Sequence, residues 1–462
     1  MGTLLTKRHS GLSLKPVASM RRHEPFRYRQ SVEVLKKAED LGVSIPFQDS
    51  IAPLFLPADL ARKRIPNRIA VQPMEGCDGT PAGEPGDLTF RRYRRYSEGG
   101  SGLIWFEACS VSDSGRSNPR QLLLTKGTLG AFQRLVETTR HAACSRFGAA
   151  HEPYLVLQLT HSGRFSDRAS GARQKVACFN PFFDKSPDAL DIFRDEELVE
   201  IRNQFVSAAT LAQQAGFDAV DIKACHGYLL HELLSAFTRE NSPFGGDFEC
   251  RARLLLDTVR LVCQAAPHLA VAVRLSATDG ISHPYGFGVA RGKTPIPDLS
   301  EPLRLRELLI EAGCVLFNIT AGIPFYTPHI GRPFDRPVRG GNYPDTHPLQ
   351  DVGSLLQWAA RFQNAHPSSP VVGTGYSWLR HFWPNVGAAV IARQDASFIG
   401  LGRGAFAYPD APLELMVRGR LDPAKCCIAC SCCTELMRNH QITGCTIRDR
   451  LVYKKAYADL RK

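Results

Sequence analysis

No stretch of this chain approaches 18 uninterrupted apolar residues, so the sequence predicts no membrane-spanning helix. The first 30 residues lack the apolar run of a secretory signal. Compositional extremes are missing too: 44% hydrophobic and 22% charged residues is ordinary globular composition, which excludes wholesale disorder and a fibrous repeat. Acidic residues run short and leave a net charge of +12, yet half of that excess is local. Residues 1–30 carry Lys7, Arg8, Lys15, Arg21, Arg22, Arg27 and Arg29 against Glu24 alone, or +6. The rest of the chain is only mildly basic, and no nucleic-acid-binding face is required. The leader opens Met1-Gly2-Thr3-Leu4-Leu5-Thr6, a short pattern that also fits N-myristoylation. A flexible tail is the plainer reading, with acylation or an organellar transit role as the alternatives.

With 462 residues, about 150 per domain gives a starting count of about three, although one α/β barrel alone takes about 250. Eight cysteines are scattered from Cys77 to Cys314, and six crowd between Cys426 and Cys445. The scattered set, without a secretory signal, reads as reduced, buried thiols of a cytoplasmic protein.

Between about residues 65 and 405, short apolar runs alternate with longer amphipathic ones. The runs 68–73, 102–107, 154–159, 219–222, 270–275, 315–319, 371–373 and 397–401 lack polar alternation, as parallel strands buried on both faces do. Among the intervening helices, the clearest spaces Leu198, Ile201, Phe205, Ala208, Ala212 and Ala215 by three and four, starts acidic and ends at Gly216. Segments 251–265, 303–312, 354–365 and 385–393 repeat the form. The expected fold is an α/β class (β/α)8 TIM barrel, with a doubly wound sheet as the alternative.

Either architecture places chemistry at the carboxyl ends of the strands, and the residues there are strongly polar. Gly373, Gly375 and Gly402, followed by Arg403, suit a phosphate: glycine lets backbone amides come close, and arginine adds a charged fork. The competing reading is tight turns alone. Gln158 and Arg274 suit a heterocycle's polar edge and the negative charge of a reduced ring, or else a polar pair closing the barrel. Taken together these residues suggest flavin mononucleotide. Lys223, His226 and Tyr228 cluster just past the fourth strand, where His226 could polarise a carbonyl and the Tyr228 hydroxyl deliver a proton. A satisfied core histidine and a packing tyrosine are the bland alternative. His231 is expected to face the next helix. Near the end, cysteines spaced C-x2-C-x2-C-x11-C fit an iron–sulfur cluster, zinc, or surplus thiols.

These residues resemble the Old Yellow Enzyme-like NADH:flavin oxidoreductases, particularly the iron–sulfur branch that includes 2,4-dienoyl-CoA reductase and trimethylamine dehydrogenase. The marks are Asn67-Arg68-Ile69-Ala70 running into Pro73-Met74, Gln158-Leu-Thr-His161-Ser-Gly-Arg164, His226-Gly-Tyr-Leu-Leu-His-Glu, Phe244-Gly-Gly, Arg274-Leu-Ser, Gly400-Leu-Gly402-Arg403 and the terminal cysteines. The resemblance implies a basic extension over 1–50, an FMN barrel over 51–412 and an iron–sulfur segment over 413–462. It implies that Pro73, Met74 and Ala108 lie against the flavin, that Gln158 and Arg274 bind its pyrimidine side, and that Gly375, Gly402 and Arg403 bind its phosphate. It makes Tyr228 the proton donor and His226 the substrate-orienting residue, with Cys427, Cys430, Cys433 and Cys445 as 4Fe-4S ligands and Cys426 and Cys432 as extra thiols.

Three departures stand out. Lys223 occupies a position where relatives that reduce enones often have histidine, and its ammonium suits an anionic oxygen or carboxylate. Glu75 brings a carboxylate near the flavin, which disfavours an anionic reduced ring unless Arg274 offsets it. Only 17 residues follow Cys445, so electrons are expected from free NAD(P)H or, through the cluster, from a separate donor protein. The expected reaction is reduction of an activated carbon–carbon double bond in a small unsaturated substrate. Oxidative C–N cleavage is the enzymatic alternative, and a non-catalytic electron-transfer or redox-sensing protein the other. The sequence leaves room for a homo-oligomer.

Overall fold

The computed structural model describes residues 23–167 and 173–462; the acylation-like start and most of the basic leader lie outside them. Eight parallel strands close a barrel: β1 (Ile69–Val71), β2 (Leu103–Ser110), β3 (Tyr154–Thr160), β4 (Ala219–Ile222), β5 (Ala270–Ser276), β6 (Cys314–Thr320), β7 (Val371–Gly373) and β8 (Phe398–Leu401). The last pairing, Ile399 with Ile69 and Leu401 with Val71, shuts the sheet on itself and excludes the doubly wound alternative. The expected runs fall on these strands, with small shifts at their ends. The first run stops short of residue 73: Gln72 still donates its N–H to the Leu401 carbonyl at 3.0 Å, but Pro73 has no N–H to offer.

Each strand feeds a helix: α1 (Asp87–Glu98), α2 (Leu129–Phe147), α3 (Asp195–Ala215), α4 (Phe248–Ala265), α5 (Ser300–Glu311), α6 (Pro348–Ala365), α7 (Trp383–Ala392) and α8 (Ala411–Arg418). Helix α3 shows the logic. Its apolar stripe from Leu198 to Ala215 is buried, three acidic residues face its amino-terminal dipole, and Gly216 leaves in the left-handed region at φ 89°. Ala70, Trp105, Val156, Ala272, Leu316 and Phe398 fill the barrel interior. An antiparallel hairpin of Ala58–Leu60 with Lys63–Ile65 packs Leu60 and Ile65 against that interior core. Beyond the barrel come α9 (Cys432–Arg438) and α10 (Arg450–Leu460).

Residues 23–30 do not behave as a tail. Phe26 is buried, its ring 5.0 Å from that of Trp378, and its N–H donates to the Asp335 carboxylate at 3.3 Å. Asp335 also accepts from Trp378 Nε1 at 2.7 Å and Arg380 Nη2 at 2.8 Å, and its own N–H reaches the Ala429 carbonyl at 3.2 Å.

Helix α1 is dense in arginine and tyrosine and carries no plain apolar stripe. Its inward residue Arg92 is fully enclosed, doubly bonded to Asp78 at 2.6 and 3.0 Å and paired with Glu107. On the outward side Arg91 and Arg95 each reach Asp449 at 2.7 Å, which pins the start of α10 to the barrel. Replacing Arg92 by leucine strands two buried carboxylates. The Arg92→Leu variant should lose about 3–5 kcal/mol of stability in urea unfolding; an unchanged midpoint would mean that the carboxylates do not depend on the guanidinium.

Candidate active site

A cavity of about 580 Å³ opens at the carboxyl ends of the strands. Pro73, Met74, Ala108, Gln158, Lys223, His226, Tyr228, Arg274, Gly375, Gly402 and Arg403 all line it. Gly373 does not. It ends β7, where a Cβ would come within 2.9 Å of the Tyr376 hydroxyl, so its smallness serves packing.

The floor is organised by Asp221 on β4, which the sequence reading passed over. Its fully buried carboxylate accepts from Gln158 Nε2 at 2.6 Å, Trp105 Nε1 at 2.9 Å and the Arg274 N–H at 2.6 Å. Burial lifts its pKa to about 6, even against those three bonds. Gln158 thus spends one donor on Asp221 and turns the rest of its amide to the cavity. Arg274 is buried beside it with Nε unpartnered. A second missed residue, Gln72, accepts from Asn318 Nδ2 at 2.7 Å and leaves its own Nε2 buried without a partner. The only signal for either was a lone polar side chain inside an apolar run.

At the opposite end, Gly375 takes φ 100° ahead of a short turn, and Gly402 leads into the helical turn Arg403–Ala407. Ser377 Oγ accepts the Gly404 N–H at 3.0 Å. Arg403 donates Nη2 to the Pro333 carbonyl at 2.6 Å, while its Nη1 is buried with no partner. Arg332, also missed, lines the same end and donates to Ser431 and Thr434.

On the reactive wall, His226 adopts φ 65° and places Nε2 3.1 Å from Thr320 Oγ1. Burial first, then the Arg274 and Lys223 charges, hold its pKa well below the usual histidine range, so it is a neutral imidazole. His231 Nδ1 accepts the Gly227 N–H at 2.8 Å and braces this turn. The Lys223 ammonium sits 3.4 Å from the centre of the Tyr228 ring. Burial, then the Glu75 charge, raises the Tyr228 pKa well above its ordinary value and keeps the hydroxyl protonated. Glu75 itself accepts from Ser117 at 3.0 Å and from Asn118 and Gln121 at 3.3 Å each. Burial pushes its pKa up, and the nearby Lys223 charge is the largest effect opposing that rise.

The cysteine segment packs against this mouth. The Thr443 N–H donates to the Gly76 carbonyl at 2.7 Å, and Met437, Arg438 and His440 belong to the cavity wall. Cys427, Cys430, Cys433 and Cys445 line a smaller cavity of their own, which shares Arg403 with the larger one. Cys426 and Cys432 are absent from its lining; their thiols face the carbonyls of Asp422 and Cys430. The Ala429 and Arg448 N–H groups donate to Cys427 and Cys445 sulfurs at 3.4 and 3.3 Å. Among the described residues, no three His, Cys, Asp or Glu side chains converge tightly enough for a single metal ion.

Residues 53–288 match the NADH:flavin oxidoreductase / NADH oxidase family. An NADH:flavin oxidoreductase of Gibberella zeae is 26% identical over 302 residues, 58% of this chain and 67% of that protein. A metal reductase of Desulforamulus reducens is 26% identical over 386 residues, 82% of this chain but only 50% of that protein. The fold is similar to that of a 2-naphthoyl-CoA reductase solved with 2-naphthoyl-CoA, with TM-score 0.69, 19% identity, and 87% of this chain and 58% of that one covered. The chain thus spans about half the length of two of these three proteins.

Asp221→Asn is isosteric, yet both carboxylate oxygens are engaged by donors, so either amide orientation turns an amino group towards one of them. The variant should lose about 1–3 kcal/mol in thermal or urea unfolding. Wild-type stability would show that the carboxylate is not what holds Gln158, Trp105 and Arg274.

Proposed function

The chain belongs to the NADH:flavin oxidoreductase / NADH oxidase family, and on that footing we propose that it is an FMN-dependent oxidoreductase that reduces an activated carbon–carbon double bond with electrons from NAD(P)H. The observation that carries the reading is the cavity itself: it gathers residues from strands across the barrel and leaves Gln72 Nε2, Arg274 Nε and Arg403 Nη1 buried without partners. Orphaned donors in a pocket are the imprint of an acceptor-rich ligand. Gln158 and Arg274 would hold the pyrimidine side of FMN, Pro73, Met74 and Ala108 would lie against its ring, and Gly375, Gly402 and Arg403 would take its phosphate. When bound, FMN supplies a ring that accepts two electrons and passes them on as hydride.

The chain's own residues do the rest. Tyr228, kept protonated by burial, gives a proton to the substrate α-carbon. Neutral His226, steadied by Thr320, and Lys223 hold the activating oxygen. Amine oxidation fits less well, since a cationic substrate would meet both Lys223 and Arg274 in a confined space. Cys427, Cys430, Cys433 and Cys445 are proposed to hold a 4Fe-4S cluster. Thiols around a small cavity, rather than around one ion-sized point, favour it over zinc, and the two N–H···S bonds would support charge on the sulfurs. Such a cluster would give a donor protein an electron entry point. A reducing compartment such as the cytoplasm suits the fourteen unbridged cysteines.

The deciding experiment is Tyr228→Phe. Reduction of an added enone by the reduced enzyme should slow ~10²–10⁴-fold while reduction of the bound flavin by NAD(P)H stays near normal. Equal slowing of both halves would make Tyr228 structural. Separately, anaerobically purified protein should contain about four irons and four labile sulfides per chain. Stoichiometric zinc without sulfide after attempted reconstitution would make the terminal segment a structural clip.

A further inference from the structure

We propose that Asp335 is a positioning residue for the cysteine cavity: together with the segment around Phe26 it clamps the strap 332–336, and that strap holds the loop presenting Cys430 in a strained shape fit for the cluster. This rests on the cluster reading above and adds what keeps one of the four sulfurs in place.

The loop comes first. Cys430 stands between Ala429 at φ 52° and Ser431 at φ 60°. Both neighbours are buried, with 1% exposure each. Side chains other than glycine are disfavoured in the left-handed region, and two such residues flanking one thiol persist only where the surroundings impose them. The shape has a use. It lets Ala429 turn its N–H to the Cys427 sulfur at 3.4 Å while its carbonyl faces the strap. Cys430 is thereby brought to the wall of the small cavity beside Cys427, Cys433 and Cys445.

The strap supplies the restraint. The Ala429 carbonyl accepts the Asp335 N–H at 3.2 Å and the Arg336 N–H at 3.4 Å. Ser431 Oγ donates to the Arg336 carbonyl at 2.6 Å and accepts from Arg332 Nη1 at 3.3 Å. Both strained residues are thus tied to the same short stretch. On its other side that stretch is anchored through the Asp335 carboxylate, 8% exposed, which accepts from Trp378 Nε1 at 2.7 Å, Arg380 Nη2 at 2.8 Å and the Phe26 N–H at 3.3 Å. Phe26 closes over this anchor, its ring 5.0 Å from that of Trp378 and 4.4 Å from the Arg380 guanidinium. Asp335 and Phe26 line neither cavity, so they act through the backbone they hold and not by touching a bound group.

Iron leaves such a site when the loop opens, and opening is easier by whatever the clamp contributed. The test is the rate at which a ferrous chelator, bathophenanthroline disulfonate, takes iron anaerobically from reconstituted protein. Asp335→Asn keeps the shape but loses the charge opposite Arg380 and turns an amino group towards one of its donors; it should speed release ~10–100-fold, the worth of a hydrogen bond to a charged group. Phe26→Ala, which leaves the carboxylate in place, should speed it by about 2–10-fold, the worth of an aromatic pair. Adding Ala429→Gly to Asp335→Asn should recover most of the loss, because glycine takes φ 52° without a clamp. Flavin content should stay near that of the wild type. Asp221→Asn, whose effect is on the barrel floor, should release iron at the wild-type rate.

Release from Asp335→Asn at the wild-type rate, equal acceleration by Asp221→Asn, or no recovery with Ala429→Gly overturns the assignment. Should Asp335→Asn not fold, Phe26→Ala with and without Ala429→Gly decides by the same criteria. The metal content of the wild type is read separately. Zinc without sulfide sinks the cluster reading, and the same variants, followed with the zinc chelator pyridylazoresorcinol, still decide the clamp. Protein that holds no metal after reconstitution overturns both.

Discussion

A single carboxylate inside the barrel, that of Asp221, fixes the floor of the site. It draws the indole of Trp105, the amide of Gln158 and the backbone of Arg274 to one point from three different strands. A buried carboxylate is expensive in isolation, and these three donors offset that expense together. The result is that Gln158 has one orientation and Arg274 one height, with spare donors turned to the cavity. Hydrogen bonds there hold the side chains more rigidly than packing alone.

The barrel was legible because parallel strands buried on both faces write themselves as plain apolar runs, and all eight coincide with strands of the structure. Helix α3 was equally plain. Helix α1 was not, because Arg92 is inside it: a buried guanidinium matched by Asp78 and Glu107 looks, in one dimension, like a solvated charge. The same holds within the site. Arg274 and Arg403 stood out at the ends of apolar runs, whereas Asp221, Gln72 and Arg332 acquire meaning only through partners 53 to 246 residues away. Gly373 illustrates the opposite error, a glycine whose sequence position suggested a ligand and whose neighbour is a tyrosine.

Spacing alone singled out four of the six terminal cysteines, and those four share one cavity. What spacing did not convey is that the segment forms part of the mouth. Its helix α9 and the residues after it supply Met437, Arg438 and His440 to the main cavity, and Arg403 stands in the wall between the two cavities. The chemistry of the barrel and the state of the cysteine loop therefore share a residue.

Asp335 carries a consequence for the order in which the molecule is made. Phe26 leaves the ribosome 309 residues before the carboxylate that receives its N–H, and the Trp378 ring it packs on is later still. Ala429, which accepts the Asp335 N–H, comes after both. The segment around Phe26 therefore waits for at least 309 residues of further synthesis before these contacts can form, and the barrel seam between β8 and β1 waits as long. Contacts of such sequence separation form slowly, so the burial of Phe26 belongs to the late steps of folding.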